Sequence, residues 1–182
     1  MDELDYEQIV ALHYEDLYRF AYSLAGTADQ AGELTQEAYG CLLARGDQIR
    51  DRSKVKSWLF TALYRLYLGL RRREERFPEI PLDSAEAELP FIPPKIMDEV
   101  DGETVMAALQ EIEEHYRAPL ALFYLQDFSY REIAEMIQVP VGTVMSRLSR
   151  GKDLLRHRLL RQKTGDQPSV IPLDRIRERG GM

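Results

Sequence analysis

The chain has 182 residues, 45% of them hydrophobic, enough apolar content for packed cores, which excludes a globally disordered protein. Its net charge of −7 excludes indiscriminate nucleic-acid binding by the molecule as a whole. One cysteine, Cys41, excludes an internal disulfide and points to a reducing compartment; its apolar neighbours predict a buried thiol.

The first residues, MDELDYEQIV, are acidic and lack the basic and apolar regions of a secretory signal. No apolar run approaches the ~20 residues that span a bilayer. A soluble, cytoplasmic protein with no membrane segment of its own is expected. From Tyr6 to Leu24, Ile9, Val10, Leu12, Leu17, Phe20, Ala21 and Leu24 recur at helical steps, and Gly26 ends that helix. Thr27 and Gln30 read as a capping box opening a second helix, which runs to about Arg45 and stops near Gly46. A third helix begins near Ser53, with Val55, Trp58, Leu59, Ala62 and Leu66 on one face.

Residues 77–95 then hold five of the nine prolines and read as an extended linker. Helical periodicity resumes from Thr104 to Glu114, and a short helix follows in which Pro119 is tolerable only within the first turn. In "SYREIAEMIQVPVGTVMSRLSRGKDLLRHRL", 129–159, Ser129 and Glu132 form a capping box, and Tyr130, Ile133, Ala134 and Ile137 line an inner face. Pro140 breaks that helix. Val144, Leu148, Gly151 and Leu155 turn inward from the next one, leaving Thr143, Ser146, Arg147 and Arg150 outward with Lys152 nearby. Two helices so joined suit the major groove of DNA; the competing reading is a helical hairpin with a solvated basic face. The remainder, 164–182, is polar and punctuated, a flexible tail.

The fold expected is therefore all-α: two small helical domains, 1–76 and 101–163, held apart by a proline-rich linker, 77–100, the second containing a helix-turn-helix. Charge follows the same division. Residues 1–49 carry two basic and ten acidic side chains, 50–76 nine and three, 77–128 two and twelve, and 129–163 eight and three. Two basic blocks alternating with two acidic ones suggest two anionic contacts and a separate partner for the acidic surfaces. Within the first basic block, Arg50, Arg52, Lys54, Lys56, Arg65, Arg71, Arg72 and Arg73 supply charge, and Tyr64 and Tyr67 could stack on bases. Trp58 and Phe60 are better read as core, and residues 71–73 alone as a solvated helix end.

Residues 116–159 resemble the promoter-binding C-terminal domain of extracytoplasmic-function (ECF) sigma factors, most specifically in Gly142-Thr143-Val144 followed by Ser146-Arg147-Leu148. Residues 17–39 resemble the polymerase-binding helices of the same family, and "VKSWLFTALYRLYLGLRRR", 55–73, the helix that engages the minus-ten element. The resemblance implies a bacterial initiation factor that binds core RNA polymerase and directs it to promoter DNA, needing no cofactor. It assigns Thr143, Ser146, Arg147, Arg150 and Lys152 to the minus-thirty-five element. Arg50, Lys56, Tyr64, Arg65, Tyr67, Arg72 and Arg73 fall to the minus-ten element, and Glu33, Leu34, Gln36 and Glu37 to the polymerase. It places a flipped-base pocket around Gly46 to Asp51, where Asp47, Gln48, Ile49 and Arg50 suit hydrogen bonding to a base edge. It also implies an anti-sigma factor as partner. Three positions depart from the family pattern: Arg65 stands where asparagine is usual, Gly69 where aspartate is usual, and Gln138 where glycine is usual.

Other classes fit less well. His13, His115 and His157 are far apart and lack metal-ligand spacing, and neither a nucleophile elbow nor a phosphate-cradling loop is present, so an enzyme is not expected. A helix-turn-helix regulator that is not a sigma factor would place a ligand or phospho-acceptor domain, usually with strands, upstream. A helical adaptor for proteins alone would show no salt-dependent DNA contact.

Overall fold

The computed structural model describes residues 5–76 and 102–163. The proline-rich linker and the tail lie outside the described residues. Helices α1 (Tyr6–Ala25), α2 (Ala28–Arg45) and α3 (Val55–Arg76) form the first domain, with two single 3-10 turns, Gly46–Gln48 and Arg52–Lys54, between α2 and α3. Helices α4 (Gly102–Gln110), α5 (Glu114–Tyr124), α6 (Tyr130–Ile137) and α7 (Val141–Lys163) form the second. Among the described residues there is no strand.

The helix ends follow from local chemistry. Asp5 accepts from the Gln8 N–H at the start of α1, and Gly26, at φ 83°, ends it in the left-handed conformation that glycine adopts without a Cβ penalty. Thr27 caps α2 by accepting from the Gln30 N–H. The predicted capping box is only half made there, because the Gln30 amide donates instead to Glu74 near the end of α3, at 3.2 Å. The second domain makes the full box: Ser129 Oγ accepts from the Glu132 N–H while the Glu132 carboxylate accepts from the Ser129 N–H.

One correction concerns α5, where Pro119 lies beyond the first turn, at the sixth position of a helix that begins at Glu114. Its ring costs the bond that an N–H would make to His115 O. Burial of Ala118, Pro119, Leu120, Ala121 and Leu122 in the core holds the helix in spite of it.

Leu17, Phe20, Ala21 and Leu24 of α1 meet Ala31, Leu34, Ala38 and Leu42 of α2 and Val55, Leu59, Phe60 and Leu63 of α3. In the second domain Val105, Leu109, Leu120, Ile133, Val144 and Leu148 do the same. The two domains are not held apart, as the linker led us to expect: their buried residues form one continuous cluster. A second apolar stripe on α3 explains this. Phe60, Tyr64 and Tyr67 are buried alongside the face that packs on α1 and α2, and Phe60 meets Phe128 of the second domain edge to face at 5.2 Å.

Candidate nucleic-acid interface

The helix-turn-helix comprises α6, the turn at residues 138–140, and α7. Gln138 takes the left-handed conformation, φ 56° and ψ 50°, and its N–H donates to Ala134 O. Non-glycine residues adopt that region at a cost of about 1–2 kcal/mol. The Pro140 carbonyl accepts from the N–H groups of Thr143 and Val144, which starts α7 directly after the break. Val144 and Leu148 are buried, and Gly151 is too. A Cβ at Gly151 would stand 2.9 Å from Leu120 Cδ1 and 3.4 Å from Tyr116 Cβ, so glycine there lets α7 lie close on α5.

This packing leaves Ser146, Arg150 and Lys152 exposed on the outer face of α7, with Thr143 and Arg147 half-buried. The Ser146 hydroxyl donates to Thr143 O at 2.9 Å and keeps its lone pairs outward. Met145 is 53% exposed on the same helix, an apolar group the periodicity did not single out.

A groove of about 950 Å³ runs between α2 and α3 of the first domain and α6 of the second. Arg45, Lys54, Lys56 and Arg65 supply its cations, Gln48 and Ser53 come from the turns before α3, and Trp58, Ala62 and Leu66 form an apolar wall. Trp58 and Cys41, both expected to be buried, are half-buried and line this groove. They sit at the margin of the α2–α3 core, where apolar spacing marks a face but not how much of it is covered. Arg45 joins the groove without having been chosen from the sequence, whereas Lys54 was counted among the cations of the first basic block. Arg50, Arg65, Arg72 and Arg73 are exposed, as are Asp47 and Gln48, while Ile49 is half-buried.

Four expected contact residues are otherwise disposed. Tyr64 is 6% and Tyr67 2% exposed, so neither offers a ring for base stacking in this arrangement. The Tyr64 hydroxyl donates to Glu114 at 2.6 Å, and the Tyr67 hydroxyl accepts from Arg117. Burial, then the Glu114 carboxylate, pushes the Tyr64 hydroxyl well above the usual phenol range; burial also raises Tyr67. Leu34, at 4% exposure, belongs to the α1–α2 core, because the same periodicity that puts Glu33, Gln36 and Glu37 outside turns it inward. Lys56 donates to Gln126 O at 3.0 Å, with its ammonium 5.0 Å from the centre of the Phe128 ring.

These features define a two-domain, all-helical protein with a helix-turn-helix in its second domain and, beside it, a groove whose cations come from the first. Residues 9–77 match the family Sigma-70 region 2, and residues 102–155 match Sigma-70, region 4. The ECF sigma factor EcfG of Rhodopseudomonas palustris is 33% identical over 139 residues, 76% of this chain and 76% of its own length. SigE of Mycolicibacterium smegmatis is 31% identical over 164 residues, 87% of this chain; the chain spans 63% of SigE's length. The fold superposes on that of the sigma factor RpoE, solved in complex with the anti-sigma factor NepR from Bartonella quintana. The TM-score is 0.69 at 26% identity, covering 86% of this chain and 97% of RpoE. The chain belongs to the ECF sigma factors of the sigma-70 family, which are transcription initiation factors and not enzymes.

Proposed function

We propose that this chain binds core RNA polymerase and directs it to a particular set of promoters, with its two domains reading two separate promoter elements. The observation that carries the reading is the pairing of both sigma regions, in order, with a basic surface in each. Thr143, Ser146, Arg147, Arg150 and Lys152 are the contacts to the minus-thirty-five element. Their hydroxyls and guanidiniums sit on one helix of the size the major groove admits. Arg50, Lys56, Arg65, Arg72 and Arg73, with Gln48 and Trp58 in the groove, serve the minus-ten strand. Glu33, Gln36 and Glu37, together on the outer face of α2, are the docking set for the polymerase. An anti-sigma partner is proposed from the likeness to RpoE, and a cytoplasmic setting from the polymerase it would serve.

Reconstitution with core polymerase and mapping of transcript starts across genomic DNA is the test. Starts clustered behind a common pair of elements support the reading; no gain over core alone removes it. In that assay Arg147→Ala should cost ~1–3 kcal/mol of promoter discrimination while retaining polymerase binding. The Glu33→Lys/Glu37→Lys double variant should instead lose polymerase binding, and an unchanged complex would remove the docking set.

A further inference from the structure

The exposed residues of α7 from Val141 to Asp153 are polar or glycine, with two exceptions: Val141, 40% exposed, and Met145, 53% exposed. Scattered apolar residues are ordinary on a protein surface and need no explanation. The position of these two is less ordinary. They are the first and fifth residues of α7, one turn apart, so their side chains share one edge of its outer face. Ser146 and Arg150, also one turn apart and also exposed, form the other edge. Gly142 lies between the two, and a Cβ there would meet nothing within 4 Å, so no other part of the described chain covers the start of this face. Lys152 follows two turns beyond Met145 on the apolar edge. The N-terminal residues of a recognition helix are the ones that meet base edges, and the apolar pair sits at that end.

We propose that Met145, backed by Val141, reads the 5-methyl group of a thymine in the minus-thirty-five element. The proposal rests on the promoter role given above to α7 and adds a specificity-determining residue to it. A thioether has no N–H or O–H to donate, so it gains nothing from the N7 and O6 acceptors of guanine and grips no phosphate. The apolar group that the major groove offers it is the thymine C5-methyl. The flexible, polarizable methionine side chain can settle on that methyl without fixing the helix at one depth. Cytosine at the same place is disfavoured, because its N4 amino group would face an apolar side chain with a donor left unpaired. The two edges of the helix thus divide the work. Ser146 and Arg150 form hydrogen bonds, Lys152 meets the backbone charge, and Met145 discriminates by burial.

Selection from random DNA tests this. Core polymerase loaded with the full chain, unaltered or carrying a substitution at Met145, transcribes a library of duplexes randomised upstream of a common transcribed region, and the productive templates are sequenced. The residue is exposed, so its replacement leaves the core intact; circular dichroism confirms that each variant keeps its helices. The unaltered protein should enrich a thymine in the minus-thirty-five region that Met145→Ala and Met145→Gln no longer select, with the other preferred positions kept. Met145→Leu should restore the preference. Deoxyuridine is then put in place of that thymine, which removes the methyl group and nothing else. The unaltered holoenzyme should bind the uracil duplex about fourfold more weakly, the worth of one buried methyl group, while Met145→Ala should lose nothing further. An enriched element without a thymine that depends on Met145 overturns the proposal, as does an equal uracil penalty in both proteins; either result would assign the apolar edge to a protein partner. Failure of the sigma reading shows differently, as no enrichment by the unaltered protein over core polymerase alone, and would remove this proposal with it.

Discussion

Gln138 is the residue at which sequence and backbone disagree most sharply. It holds φ 56° in the turn of the helix-turn-helix, a conformation that glycine takes freely. Gln138→Gly should therefore stabilise the chain by about 0.5–1 kcal/mol, the relief of left-handed strain less the entropy of a freer unfolded chain. Urea denaturation measures it, and a lower midpoint would mean that the glutamine side chain contributes more than its backbone costs. The position was legible because Pro140 fixes where α6 must end. Trp58 and Cys41 were less so. Each lies on a half-apolar face, and periodicity alone does not say whether a neighbouring element covers it. Leu34 shows the converse: the family resemblance implied a contact, while its helical phase put it in the core.

Among the elements, α5 and α7 depend on a single missing Cβ. Gly151 is buried, and the nearest atoms that a methyl would meet belong to Leu120, itself 1% exposed and unable to swing aside. Gly151→Ala raises helix propensity by about 0.8–1.0 kcal/mol, yet overpacking of this kind costs ~1–3 kcal/mol. We expect net destabilisation and weaker binding to minus-thirty-five duplex DNA, read by thermal melting and by fluorescence anisotropy on the same protein. An unchanged melting temperature would show that α7 can shift outward freely. Most helices were legible, since apolar recurrence and caps fix them locally: α1 to α3 and α6 fall where spacing put them. The short helix around Pro119 was misjudged at its start, because a proline's usual place at a helix entrance gave way to burial of the residues around it.

At the scale of the whole molecule, the linker suggested separation and the packing joins the domains. The signal for this lay in α3, whose Phe60, Tyr64 and Tyr67 make a second apolar face, one that a stacking role also explained. Burial was not decidable from the stripe itself; it needed a second domain with Glu114, Arg117 and Phe128 in complementary places. This contact carries its own pH dependence. Tyr64 has its hydroxyl raised above the ordinary value of 10.0, by burial first and Glu114 second, while Arg147 opposes the shift and Tyr67 adds to it. The folded chain holds the neutral phenol more firmly than the unfolded one, so this stabilisation is complete below about pH 10 and declines as pH rises further. The thermal midpoint should accordingly fall above pH 10, and Tyr64→Phe should lessen that dependence, leaving the part due to Tyr67. A pH effect unchanged in Tyr64→Phe would assign it to Tyr67, which burial also raises.

Trp58 is the chain's only tryptophan, and it stands in the groove wall rather than deep in either core. The molecule thereby carries an intrinsic fluorophore where α6 borders the proposed path of the nucleic acid. Departure of α6 should admit water to the indole and move its emission to longer wavelength, whereas a base lying against it should quench the signal. Opening and occupancy would thus give different optical signatures in unmodified protein, at concentrations and on timescales that a stopped-flow instrument follows directly.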